Sequence, residues 1–114
     1  MDFVTHNDTD IETDFSSLRG HIQTTLANLI DVFGEPIRFG EGDKVTVQWE
    51  VQFDNGIVAT IYDWKRYELG TPAMNERIDW NIGGDSFRAV ELIAKELGIT
   101  PRSRHDILVR AGLA

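Results

Sequence analysis

The sequence predicts an α+β domain: an antiparallel sheet of about four strands with helices packed on one face, in the order β-α-β-β-β-α. Three observations carry this. Val45, Val47, Trp49, Val51 and Phe53 alternate with Thr46, Gln48, Glu50 and Gln52, the period-two pattern of a half-buried strand. Asp54-Asn55-Gly56 supplies residues that tolerate positive φ, so the chain from Ile57 to Trp64 must return antiparallel. On either side of this hairpin, apolar residues recur at helical spacing.

Taken in order, residues 1–12 are polar and aperiodic and are expected to be a disordered acidic N-terminus, with 13–114 forming a single α+β domain. Phe15 to Gln23 alternates loosely, with Leu18 and Ile22 apolar, and is expected to be the first strand. Thr24 or Thr25 then caps a helix whose Leu26, Leu29, Ile30 and Phe33 fall at i, i+3, i+4 and i+7. Gly34 is positioned to end it in the left-handed conformation, and Pro36 forbids continuation. Gly40 to Asp43 turns into the hairpin, and Leu69 to Asn75, with Gly70 and Pro72, is an irregular loop after it. Glu76 to Ile82 reads as a further strand with Ile78, Trp80 and Ile82 on one face, broken by Gly83-Gly84. Asp85 or Ser86 caps a second helix, along which Phe87, Val90, Ile93, Ala94 and Leu97 form the apolar stripe before Gly98 stops it. Thr100-Pro101 is expected to start a last short helix, from Arg102 onward, with Ile107, Leu108 and Ala111 apolar. A sheet covered on one face leaves the other partly open and invites dimerisation.

Composition narrows the function classes. A chain of 114 residues, 41% of them apolar, supports one core and not two. With no cysteine, disulfides, thiol nucleophiles and thiolate metal sites are excluded. No apolar run approaches the ~20 residues of a membrane span, and no leader-like start is present, so a cytoplasmic protein is expected. A net charge of −8 argues against binding nucleic acid directly, because a phosphate footprint needs clustered Lys and Arg. The charge is uneven. Residues 1 to 18 hold Asp2, Asp8, Asp10, Glu12 and Asp14 without Lys or Arg, whereas the last thirteen, from Arg102, carry three Arg against one Asp. Partner surfaces and merely solvated termini both account for this.

The residues capable of chemistry are few. His6, His21 and His105 lie in three separate segments, and the single helical-spacing pair, His6 with Asp10, sits in the polar head, so no metal site is expected. Neither Gly-x-Ser-x-Gly nor Ser-x-x-Lys occurs, and the acids Asp63, Asp79 and Asp85 near strand ends are too common to signal catalysis. We therefore expect no catalytic residues and no cofactor. Gly83-Gly84-Asp85-Ser86 is more informative. Glycines before a helix let backbone N–H groups approach a phosphate, although Asp85 as cap would occupy those donors itself, and a plain strand-to-helix bend explains the glycines equally. The segment leaving the hairpin, Tyr62, Trp64-Lys65-Arg66 and Tyr67, sets aromatic surface beside positive charge and suits a nucleobase and its phosphates. Its bland alternative is a strand end whose aromatic packs on a neighbouring helix. Trp49 and Trp80, inside strands, read as core. Arg102 and Arg104 can clamp phosphate oxygens as bidentate donors or simply remain solvated.

Four blocks occur together in order: Ser17-Leu18-Arg19-Gly20, Phe33-Gly34-Glu35-Pro36, the hairpin from Asp54 through Ala59-Thr60-Ile61-Tyr62 to Trp64-Lys65, and Trp80-Asn81-Ile82-Gly83-Gly84. Over roughly residues 16 to 97 this pattern resembles a group of small phage and prophage proteins, and is similar to the Thoeris anti-defence sponge family. Members of the group usually carry His where this chain has Asn81, so no role of that histidine carries over. The resemblance implies a cytoplasmic counter-defence protein of an infected bacterium, an oligomer that sequesters a cyclic ADP-ribose-like or cyclic oligonucleotide signal without cleaving it. It places the ligand near Asn81, Gly83, Gly84, Asp85 and Ser86, with Arg102 and Arg104 on the phosphates. Asp85 departs from the neutral amide that a phosphate ligand would favour.

Sequestration needs no nucleophile or metal, only binding energy: nanomolar affinity corresponds to about −12 kcal/mol. Two other classes remain open on the sequence. An acidic domain of this size can bind the basic groove of a defence nuclease as a protein inhibitor, of anti-CRISPR or anti-restriction type. An accessory enzyme acting on nucleotides is the third.

Overall fold

A computed structural model describes residues 2–5, 17–39, 44–64 and 70–103 of the chain. The hairpin forms as its alternation dictates: β4 (Val47–Phe53) pairs antiparallel with β5 (Val58–Tyr62), Trp49 opposite Ile61 and Val51 opposite Ala59. Gly56, at φ 86°, turns the chain, and Asn55 Oδ1 accepts from the Ile57 amide at 3.1 Å. β6 (Arg77–Gly84) lies beside β5, and β2 (Ser17–Thr25) beside β6. Two short strands complete the main path, β1 (Phe3–Thr5) on the outer edge of β4 and β7 (Arg102–Ser103) on the outer edge of β2. The resulting order is β1-β4-β5-β6-β2-β7, all antiparallel, with β3 (Ile37–Arg38) also pairing on β4.

The fold class is the α+β sheet expected, wider than four strands. The observed strands correct three expectations. Phe3–Thr5, inside the segment expected to be disordered, are a strand because Phe3 packs its ring 5.1 Å from that of Phe33 and 6.0 Å from that of Phe53. Arg102–Ser103 are extended and not the start of a helix, because the open edge of β2 offers backbone partners at Gly20 and His21. Residues 104–114 lie outside the described residues. Gly83 and Gly84 prolong β6 and do not break it, since β2 and β5 pair with both of them.

Among the described residues two helices cover one face. α1 (Leu26–Phe33) starts directly from β2, and Thr25 serves as last strand residue and N-cap, its Oγ1 accepting from the Asn28 amide at 3.1 Å. It ends at Gly34, whose φ of 83° and ψ of −170° differ from the left-handed helical geometry expected but remain a conformation that glycine alone adopts freely. α2 (Phe87–Leu97) is capped by Ser86, whose hydroxyl accepts from Arg88 N at 3.2 Å, and terminates at Gly98 in the left-handed conformation. α2 lies across β2, β6 and β5, and α1 against α2 and β2. Gly84 permits this approach: a Cβ there would stand 2.6 Å from that of Ala89.

The core between sheet and helices holds Ile22, Leu29, Ile61, Ile82, Val90 and Ile93 around two tryptophans. Trp49 and Trp80 meet edge to face at 5.6 Å, and both are fully buried. Their indole N–H groups donate to Gly34 O at 2.7 Å and Thr24 O at 3.1 Å, which satisfies the one polar atom each brings into the core. Among the described residues no helix is long and apolar enough to cross a membrane.

Candidate functional site

The strand period that sends Trp49, Ile61, Ile82 and Ile22 toward the helices sends their neighbours to the opposite face. There the register aligns one polar row across four strands, and β7 continues it in backbone register. Gln48 stands opposite Tyr62, Tyr62 opposite Asn81, Asn81 opposite His21, and His21 opposite Arg102. At the ordinary inter-strand spacing the row spans roughly 19 Å, with Asn81 and Arg102 about 10 Å apart. Sequence neighbours did not announce this. His21 and Asn81 are sixty positions apart and meet because β2 skips the hairpin to pair with β6.

Asn81 is the centre of the row and is 9% exposed. Its amide bonds Tyr62, and the two influences on that phenol oppose one another. Burial raises the Tyr62 pKa above the usual tyrosine value, while the hydrogen bond from Asn81 offsets part of the rise. Burial prevails. A tyrosine is already neutral at physiological pH, and the upward shift moves Tyr62 further from acting as a phenolate base or nucleophile.

The adjacent row runs Glu50, Thr60, Gly83, Leu18. Between Leu18 and Gly20 the register shifts by a β-bulge, and the inserted Arg19 donates from Nε to Gly84 O at 2.8 Å. This is the physical content of the Ser-Leu-Arg-Gly block: an extra residue that turns a cation onto the end of β6.

Past β5, Asp63 and Trp64 have opposite fates. Asp63 is fully buried, and its carboxylate accepts from Thr46 N at 2.8 Å, Thr46 Oγ1 at 2.5 Å and Val47 N at 3.2 Å. It clips the end of β5 to the residues entering β4. Trp64 is 46% exposed. Its ring sits 6.2 Å from that of Tyr62 at 75°, and Lys44 Nζ lies 5.9 Å from its centroid. Its ring contact is with Tyr62, its neighbour two residues back on the same strand end. Lys65, Arg66 and Tyr67 fall outside the described residues.

Of the residues singled out from the sequence, Asn81, Gly83 and Arg102 share neighbouring positions on this part of the sheet. Gly84 belongs to the strand but faces α2, where Ala89 approaches it. Asp85 and Ser86 are exposed at the start of α2, and Ser86, not Asp85, fills the cap. Arg104 falls outside the described residues. The sequence reading missed His21 as a site member and did not bring Tyr62 and Asn81 together; period-two alternation alone assigned them a face, but their cross-strand partners follow only from strand order. Among the described residues no three His, Asp or Glu side chains converge as a metal site would require. Comparison of the sequence with known protein families and with curated proteins yields no match.

Proposed function

We propose that this protein sequesters a phosphorylated, cyclic nucleotide-type immune signal, cyclic ADP-ribose-like or a cyclic oligonucleotide, without cleaving it. In this role it is a phage counter-defence protein of the infected bacterial cytoplasm, working as a homo-oligomer. The observation that carries the proposal is the single cross-strand row joining Tyr62, Asn81, His21 and Arg102. Neutral donors and an imidazole on three adjacent strands, with Arg102 in register on the next strand and roughly 14 Å from Tyr62 along the row, match a ligand that combines ribose hydroxyls with phosphates. The Tyr62 phenol, neutral at physiological pH as an ordinary tyrosine is and held further from ionisation by burial, suits holding a ligand better than attacking one. The resemblance of the four sequence blocks to those of small phage proteins is what suggests the counter-defence setting.

The test is direct. Purified protein is incubated with lysate from cells producing the signal, washed, heated, and the released material analysed by mass spectrometry. Release of the intact nucleotide is expected. Recovery of a cleaved product would replace sequestration with catalysis. A salt-sensitive complex with a defence nuclease and no released nucleotide would favour the acidic inhibitor instead, for which the net charge of −8 is the supporting observation.

A further inference from the structure

We infer that the Trp64 indole is the stacking platform for the base of a purine nucleotide and that Lys44 engages that nucleotide's phosphate. This rests on the sequestration reading and gives it a ligand chemistry. The three tryptophans divide sharply. Trp49 and Trp80 are fully buried, whereas Trp64 leaves 46% of its surface to solvent. Exposing an indole forgoes the burial that stabilises the other two, so its position calls for a use.

The surroundings of Trp64 are those of a held ring. Tyr62 meets it edge to face at 6.2 Å, which fixes the indole plane relative to the sheet. On the chain side, Asp63 is clamped by Thr46 and Val47, two and three residues after Lys44, so the clip that immobilises the backbone before Trp64 also brings Lys44 alongside. The ammonium then stands 5.9 Å from the ring centroid and is itself exposed. A flat π-face with an adjoining cation is selective in a way that either group alone is not. An uncharged apolar ligand gains nothing from Lys44, and inorganic phosphate gains nothing from Trp64. A base carrying phosphate gains from both, and the two fused rings of a purine match the area of the indole better than a single pyrimidine ring. Tyr62 links this platform to Asn81 in the polar row, so base and ribose phosphate have continuous surface to lie on.

Because the other two indoles are buried, iodide-quenchable, red-edge tryptophan emission reports Trp64 selectively. The full chain is titrated with ADP-ribose, AMP, adenosine, ribose 5-phosphate and CMP, following emission and heat. ADP-ribose and AMP are expected to quench this emission and to protect it from iodide, with CMP weaker. Trp64→Ala should raise the ADP-ribose Kd roughly 10- to 100-fold without moving the unfolding midpoint, and Trp64→Phe should recover part of the loss. Lys44→Gln should weaken AMP and ribose 5-phosphate severalfold and leave adenosine unchanged. If ADP-ribose binds Trp64→Ala as tightly as wild type, the platform is refuted while sequestration at the Asn81 row stands. If none of the probes binds and the lysate experiment releases no nucleotide, platform and sequestration fall together.

Discussion

Truncating Asp63 to alanine removes the acceptor of three buried hydrogen bonds, from Thr46 N, Thr46 Oγ1 and Val47 N. The two amides have nowhere to turn, because they sit where the chain enters β4 and the neighbouring backbone is already paired on the sheet. Each buried donor left without a partner costs about 1–3 kcal/mol, and the hydroxyl, which can rotate, costs less. The sum is about 3–5 kcal/mol, the range typical of removing one partner from a buried charged group. Against a total stability of about 5–15 kcal/mol, this is a large fraction.

Asparagine at the same position separates shape from charge. Its Oδ1 still accepts from both amides, and its Nδ2 donates to Thr46 Oγ1, whose proton rotates away. What disappears is the charge assistance, so Asp63→Asn should cost about 1 kcal/mol. Urea unfolding followed by tryptophan fluorescence measures both variants with an unchanged slope. At about 4 °C per kcal/mol for a chain of this size, the alanine variant should lose roughly 12–20 °C in Tm and the asparagine variant roughly 4 °C. An alanine variant within about 1 kcal/mol of wild type would refute the view that this carboxylate holds the two strands together. Equal losses for both variants would show that charge, not hydrogen-bond geometry, is what the site demands.

Gly84→Ala should destabilise by about 1–3 kcal/mol, since the new methyl group meets Ala89 Cβ at 2.6 Å and Val58 O at 3.3 Å; a double-mutant cycle with Ala89→Gly should recover part of this, and additive losses would contradict the clash. Tyr62 has its pKa raised by burial, so its contribution is fully present below the ordinary phenol value near 10 and is lost as pH rises through the higher folded value. Stability should therefore fall above about pH 10, and Tyr62→Phe should flatten that fall. Replacing Arg102 and Arg104 together by alanine should weaken nucleotide binding at least tenfold with thermal unfolding nearly unchanged; equal binding by both proteins would remove these residues from the site.

The parts of the fold that were legible are those that carry their own pattern. Val47 to Phe53 alternates over a full strand, and the caps Thr25 and Ser86 each precede an apolar stripe of helical period. β1, β3 and β7 carry none, having three, two and two residues. A run that short expresses no period. Each exists because a longer strand presents an unpaired edge and, for β1, because Phe3 finds Phe33 and Phe53. Gly83-Gly84 misled for a related reason. Glycine weakens an isolated strand, but at Gly84 the cost is offset by letting α2 approach within contact of the sheet, a tertiary gain with no local signature.

The candidate site divides along the same line. Alternation in sequence assigns Tyr62 and Asn81 each to the face away from Trp49 and Trp80, but it does not say that they touch. Contact depends on β6 lying between β5 and β2, an arrangement decided by which strands bury most apolar surface together. Arg102 is the clearest case. As part of a helix it would have had no fixed relation to Asn81, whereas as a β7 residue opposite His21 it stands two strands away on the same row. The β7 pairing is therefore what gives Arg102 a defined register position two strands from Asn81, and a binding role for Arg102 depends on that edge pairing. Hydrogen exchange of the Gly20–His21 and Arg102–Ser103 amides measures it: protection should exceed that of a frayed terminus and increase when ligand is added, and fast exchange in both states would detach Arg102 from the site.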